Sequence, residues 1–225
     1  MTKAKLLATL AFVALPTFAA AEFEISGYTG IQEAPHAKVT GTDPDNGDPL
    51  NGNAISFTAG WEGKSFEMPP YYGFRGTWWR TDNLGFGIEY THSKVYADAE
   101  TLNNTPYNRF ELTDGINVLT ANATYRWNNE WANGAVTPYL GGGLGFTFPH
   151  VDIEGAAGPH TWEYQITGAA ARLYAGAKYD LSDTWAVFSE FQFTYSKQDI
   201  DLDNGGNIKF DLITNALNVG LSYTF

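Results

Sequence analysis

The chain has 225 residues, no cysteine, and 25 acidic against 13 basic side chains, a net charge of −12 with histidine neutral. Disulfide, thiolate and iron–sulfur chemistry are closed to it, and so acidic a surface does not suit nucleic acid, which needs a basic stripe. Mean hydropathy is below zero, but a β-barrel hides its membrane signal because half of each strand faces a polar lumen.

Lys3 and Lys5 precede an apolar run over 6–18, and Ala19, Ala20 and Ala21 precede Glu22. These are the three parts of a secretory signal with a small-residue cleavage site. The run is shorter than the roughly 20 residues a spanning helix needs. Residues 1–21 are therefore expected to be removed. Without Lys3 and Lys5, the single domain 22–225 keeps 11 basic residues against 25 acidic ones.

Within that domain the apolar pattern has a period of two, the signature of strands. Phe86, Ile88 and Tyr90 alternate with Gly87, Glu89 and Thr91; Leu119, Ala121, Ala123, Tyr125 and Trp127 alternate with polar residues. The pattern recurs along 185–194 and along Leu217, Val219, Leu221, Tyr223 and Phe225. Eight strands are expected near 22–33, 69–80, 84–95, 113–127, 136–150, 164–180, 185–196 and 210–225.

Tight turns are expected at 81–83, 128–134 and 181–184, and long polar connectors at 34–68, 96–111, 152–163 and 197–209. The first connector has room for a hairpin of 55–60 with 64–67. Short and long connections alternate, as in a transmembrane antiparallel up-and-down β-barrel with short periplasmic turns and long extracellular loops. Trp78, Trp79, Trp127, Trp131 and Trp185 gather beside the short turns with Tyr125, Tyr139, Tyr179, Tyr223 and Phe225, which reads as an aromatic girdle at one membrane interface. The terminal Phe225 resembles the signal by which barrel-assembly machinery takes up outer-membrane barrels.

Strand parity turns Arg75, Glu89, Arg172 and Glu190 into the lumen, with Arg126 and Lys178 nearer the periplasmic end. A barrel of about eight strands is filled by side chains, and buried charges must be paired, so structural Arg–Glu bridges are expected rather than an ion path. All four histidines, His36, His92, His150 and His160, fall at extracellular strand ends or in loops, with Glu33, Glu62, Glu67, Glu89, Asp152, Glu154 and Glu163 close in sequence. Imidazole with carboxylate suits a divalent or redox metal, although no fixed ligand spacing is present. His92 and His150 also fall on the lipid-facing register and would have to turn at the rim.

The acidic segments 43–48 and 199–205 lack the residues a helical calcium loop requires and read as solvated turns. Gly141-Gly142-Gly143-Leu144-Gly145 lies inside a strand with no helix after it, so it is no dinucleotide site; neither flavin nor NAD is expected. His92 and Ser93 are adjacent on a strand and point to opposite faces, which argues against a serine hydrolase.

The segments GIEYTH at 87–92 and TPYLGGGLG at 137–145 resemble small OmpA-like barrels in general. More particular is FTAGWEGKSFEMPPYYGFRGTWW at 57–79, with APH at 34–36, PHVD at 149–152 and WEYQITG at 162–168. In these the chain resembles the outer-membrane lipid A oxidase family over its whole mature length. The resemblance implies oxidation of the proximal glucosamine of lipid A to 2-aminogluconate by dioxygen with release of hydrogen peroxide, at the lipopolysaccharide-facing loops of the outer membrane. Dioxygen chemistry normally needs a flavin or a redox metal, so the resemblance favours a loop-borne metal, with His36, His92, His150 and Glu67 (or Glu62) as candidate ligands. The alternatives are a non-enzymatic OmpA-like barrel, serving envelope stability, adhesion or passage of small apolar molecules, and an enzyme acting on the acyl chains of lipid A.

Overall fold

The computed structural model describes residues 22–45, 53–128 and 131–225. The expected leader, residues 46–48 of the first acidic segment and residues 129–130 of the 128–134 turn lie outside them. The strands begin with β1 (Glu22–Glu33), β2 (Ala37–Thr42), β3 (Ala54–Ala59), β4 (Trp61–Glu62) and β5 (Tyr72–Trp79). Next come β6 (Leu84–His92), β7 (Val95–Ala97), β8 (Tyr107–Leu112), β9 (Val118–Arg126) and β10 (Val136–Thr147). β11 (His150–Gly155), β12 (His160–Tyr164), β13 (Gly168–Asp180), β14 (Trp185–Asp201) and β15 (Asn207–Thr224) follow.

Among the described residues, β1, β5, β6, β9, β10, β13, β14 and β15 are neighbours in that order, and β15 pairs back onto β1. Eight antiparallel strands thus close a barrel, which leaves no open edge and pairs the backbone from strand to strand. Phe74, Ile88, Leu144, Leu173, Phe191 and Leu217 stand exposed on its outer face. Such a band suits lipid.

The short connections lie where the turn residues place them. Thr81 Oγ1 accepts from the Leu84 N–H at 3.0 Å, and the Leu181 N–H donates to the Trp185 carbonyl at 2.8 Å. Trp78, Trp127, Trp131 and Trp185 are exposed around that end. Trp79 and Tyr139 are not part of the girdle, because both are buried in the lumen. Trp78 and Trp79 are consecutive on one strand and must take opposite faces; Tyr139 stands opposite in parity to the outward Leu140.

The extracellular half departs most from the sequence reading. A crossing strand needs about 9–11 residues, whereas β14 and β15 have 17 and 18, so the expected loop 197–209 is mostly strand. β2 and β3 extend the sheet from the edge of β15. A second sheet, β12-β11-β8-β7-β4, is assembled from the end of the first connector and from the segments around 95–112 and 150–164. The expected hairpin of 55–60 with 64–67 does not form. β3 pairs instead with β2, and β4 pairs with β7. The cause is apolar alternation within those connectors: Val39, Ile55, Trp61, Phe110 and Ile153 turn inward and join one buried cluster with Ile208 and Phe210. The interior is therefore polar within the membrane band and apolar in the extracellular head.

Candidate functional site

In the lumen, Arg75 donates through Nε to Glu89 at 2.8 Å and through both terminal nitrogens to Glu190 at 2.9 Å. Arg172 Nη1 lies 3.0 Å from the other oxygen of Glu89. Tyr28, Asn122 and Gln192 also donate to Glu89, and Tyr139 donates to Glu190. Two guanidinium groups thus balance two carboxylates, all four side chains being at most 5% exposed. Gly141 makes room for this layer, because a Cβ there would strike the Tyr174 ring, over which the Arg75 guanidinium lies at 3.8 Å. Below it Lys178 pairs with Glu24, and Arg126 with Glu22. A side-chain-filled interior whose charges are paired is a plug rather than a reaction site.

The outward rim is different. Glu89 and Thr91 are buried in the lumen, so parity sets Tyr90 and His92 on the outer wall. Tyr72, the cross-strand partner of His92, stacks on it at 5.0 Å and 14°. On the other side comes the turn Thr113-Asp114-Gly115-Ile116-Asn117. Asn117 Oδ1 lies 3.2 Å from His92 Nδ1 and accepts from the Tyr90 hydroxyl at 2.6 Å. The same turn holds His150, whose N–H donates to the Gly115 carbonyl at 3.0 Å and whose Nδ1 lies 3.7 Å from Asp114 Oδ2. Trp162 and Tyr164 meet the His150 ring edge-on at 4.8 Å and remain 60% exposed.

Above this patch Lys94 is fully buried and donates to the Glu67 carbonyl at 2.7 Å; burial depresses its pKa. The Lys64 and Lys94 ammonium groups lie 4.3 and 5.4 Å from the centre of the Tyr96 ring, and burial with nearby acids pushes its phenol up to about 12. Asp152 is closed off by Arg109 at 3.0 Å and His160 at 2.7 Å.

The four candidate metal ligands are thus divided. His92 and His150 share one turn. His36 lies elsewhere, lining a cavity of about 250 Å³ with Phe57, Asp98 and Thr101. Glu67 contributes its backbone carbonyl to Lys94. Among the described residues no three His, Cys, Asp or Glu side chains are grouped so as to hold a metal ion. The set His36, His92, His150 and Glu67 does not fit a metal, because neighbouring strands and loops carry its members to different places. Sequence reasoning missed Asp114 and Asn117. The Asp114-Gly115 dipeptide is a turn signal, yet the strand was expected to start at 113; it starts at Val118.

A closed eight-stranded barrel with an apolar outer band, a charge-paired lumen and an ordered extracellular head defines a transmembrane barrel of the bacterial outer-membrane class. The chain belongs to the outer membrane protein beta-barrel domain family, which it matches over residues 6–225. Its structure is similar to that of Neisserial surface protein A, with a TM-score of 0.50, 16% identity, and 90% of this chain and 97% of that one covered. It is likewise similar to the outer membrane protein AlkL, with a TM-score of 0.52, 14% identity, and 100% and 97% covered. At such identities the likeness concerns the fold alone. Among proteins of curated function none matches the sequence.

Proposed function

We propose that this outer-membrane barrel acts on lipid A at its outward rim, oxidising the proximal glucosamine to 2-aminogluconate with dioxygen. One observation carries the reading. Segments in which the chain resembles lipid A oxidases, 57–79 on one side and the hairpin of 149–152 with 162–168 on the other, meet across the 113–117 turn. They supply Tyr72 against His92, and Trp162 and Tyr164 against His150. The patch lies at the end of the paired strands β5 and β6, where Tyr72 faces His92.

The reaction needs a proximal sugar whose C1 hydroxyl is free. Loss of the C1 hydrogen and the hydroxyl proton, with two electrons, reduces O₂ to H₂O₂ and leaves a lactone. Water opens the lactone, for a net gain of one oxygen atom, about 16 Da. No step is assigned to a metal, because the candidate ligands are not grouped. The competing reading, a non-enzymatic surface barrel, draws on that same dispersal.

Mass spectrometry of lipid A from cells with and without the gene tests the proposal. The oxidase reading expects an O₂-dependent gain of one oxygen on the proximal sugar. Unchanged lipid A favours the non-enzymatic barrel, and a change by a whole acyl chain favours the acyl-chain enzyme.

A further inference from the structure

We infer that the outward face of β2, β15 and β14, just above the lipid band, docks a phosphate group of an outer-leaflet glycolipid on Lys38, Lys197 and Lys209. This site goes beyond the oxidase reading and does not depend on it. β14 and β15 stand across the barrel from β6 and β9, with two strands between them either way round.

The height of the site follows from β14. Its outward residues run from Trp185 through Val187 and Phe191 to Tyr195, alternating with the buried Glu190, Gln192 and Thr194. Ten residue steps separate Trp185 from Tyr195; at about 3.3 Å each and a tilt of roughly 40° they rise about 25 Å. That is the height of the apolar band of an outer-membrane barrel, with an aromatic residue at either interface. The next outward positions on β14 are Lys197 and Asp199. β15 changes character at the same height: Ile213 faces Tyr195, then Asp211 faces Lys197 and Lys209 faces Asp199. β2 joins the edge of β15 there, with Thr40 opposite Lys209, and carries Lys38 on the same exposed face as Thr40. The charges thus begin where lipid headgroups begin.

These side chains line a groove of about 370 Å³. Among the described residues, the basic side chains with no carboxylate within ion-pair distance are Lys38, Arg80, Lys94 and Lys197. Lys94 is buried and Arg80 belongs to a periplasmic turn, whereas Lys38 and Lys197 share this groove and are exposed. Asp199 already accepts from Lys209 at 2.8 Å and from Asn207 at 2.6 Å. The Lys209–Asp199 pair is more than half exposed on both sides, and such a pair is worth little, so Lys209 can turn to an incoming anion. Lys38, Lys197 and Lys209 against Asp199 and Asp211 leave the groove positive, on a chain whose net charge is −12.

The surroundings select the ligand. An ammonium on a flexible stem holds phosphate as a point charge, and lysines beside a membrane gain affinity for an anionic lipid surface. The exposed Phe191 and Leu217, paired below the groove, give the acyl chains of the same lipid an apolar wall. A surplus of ammonium groups repels a metal cation, so the phosphate is expected to bind directly rather than through a bridging ion.

The test is native mass spectrometry of the full chain released from detergent. It is titrated with bisphosphorylated lipid A, with the same lipid A stripped of its phosphates, and with phosphatidylglycerol. Bisphosphorylated lipid A should bind tightest, and inorganic phosphate at the lipid concentration should not displace it. Lys38→Gln with Lys197→Gln should weaken that binding roughly thirtyfold, to the level of the stripped lipid. The heat-shifted electrophoretic band of a folded barrel should be retained. Arg80→Gln, which removes an unpaired cation from the opposite end, should leave binding unchanged. Equal binding of the two forms of lipid A, or a double lysine variant that binds like the parent, overturns the inference. So does equal displacement by phosphatidylglycerol or by inorganic phosphate. Binding by the parent that EDTA abolishes would assign the lipid to a divalent ion on Asp199 and Asp211, and overturns it as well.

Discussion

Arg75 on β5 and Glu190 on β14 are joined across the lumen by two parallel N–H···O bonds of 2.9 Å each. The pair ties together two strands that are not neighbours in the sheet. Replacing Arg75 with Met leaves Glu89 and Glu190 without their shared cation in a closed interior. Breaking a buried pair from one side costs about 3–5 kcal/mol, whereas replacing both partners can be nearly neutral. The urea midpoint in detergent should therefore fall steeply for Arg75→Met and recover in large part for Arg75→Met with Glu190→Gln. Equal losses in the two variants would show that the pair does not act as a unit.

The same lumen sets permeability. The ionic layer is backed by Tyr28, Tyr139, Tyr174 and Phe188, and the head above it is filled by an apolar core. Purified protein in planar bilayers should give no steady conductance. Regular open-channel steps would contradict a plugged barrel.

Gly115 is a rim position with no room for a side chain. Alanine there would meet His92 and Asn117 and hold φ +96°. A strained backbone position of this kind costs on the order of 1–3 kcal/mol, and the strain should be local. Hydrogen exchange should quicken at the 113–117 turn in Gly115→Ala while the β13–β14 amides keep their protection. Uniform loss of protection would mean that the turn supports the whole barrel.

Glu111 on β8 is half-buried opposite Asp152 on β11. Burial first, and Asp152 second, raise its pKa above the ordinary 4.5, with Arg109 and Lys64 pulling the other way. A raised folded pKa means that the folded head binds this proton more tightly than the unfolded chain does. Its contribution is present below the ordinary value and is lost as pH rises through the raised one. Exchange protection of the β8 and β11 amides, corrected for intrinsic rate, should decline as pH rises above the ordinary 4.5 and through the raised pKa of Glu111. Glu111→Gln should flatten the decline. The same slope in the variant would place the titrating group elsewhere.

The barrel was legible in the sequence because a membrane strand repeats every two residues. Lipid on one side and a packed lumen on the other make that alternation obligatory, so eight strands, the inward Arg75, Glu89, Arg172 and Glu190, and the short turns could all be read locally. The extracellular head was not legible. Its strands are as short as two or three residues, and the pairs β2–β15, β4–β7 and β8–β11 join segments far apart in sequence. Polar, glycine-rich connectors looked like loops until β14 and β15 offered them an apolar face.

The rim divided in the same way. Composition and order placed His92 and His150 at the extracellular end, since strand direction alone decides that. Only the tertiary structure brought them to one turn, sent His36 to another cavity, and gave Asn117 three carbonyls that fix its amide. Those contacts join atoms from separate strands and loops, and hydrogen-bond direction depends on every partner at once. The closed, filled barrel followed from the sequence by itself; the meeting of His92 and His150 on one turn was decided by how the chain closes on itself.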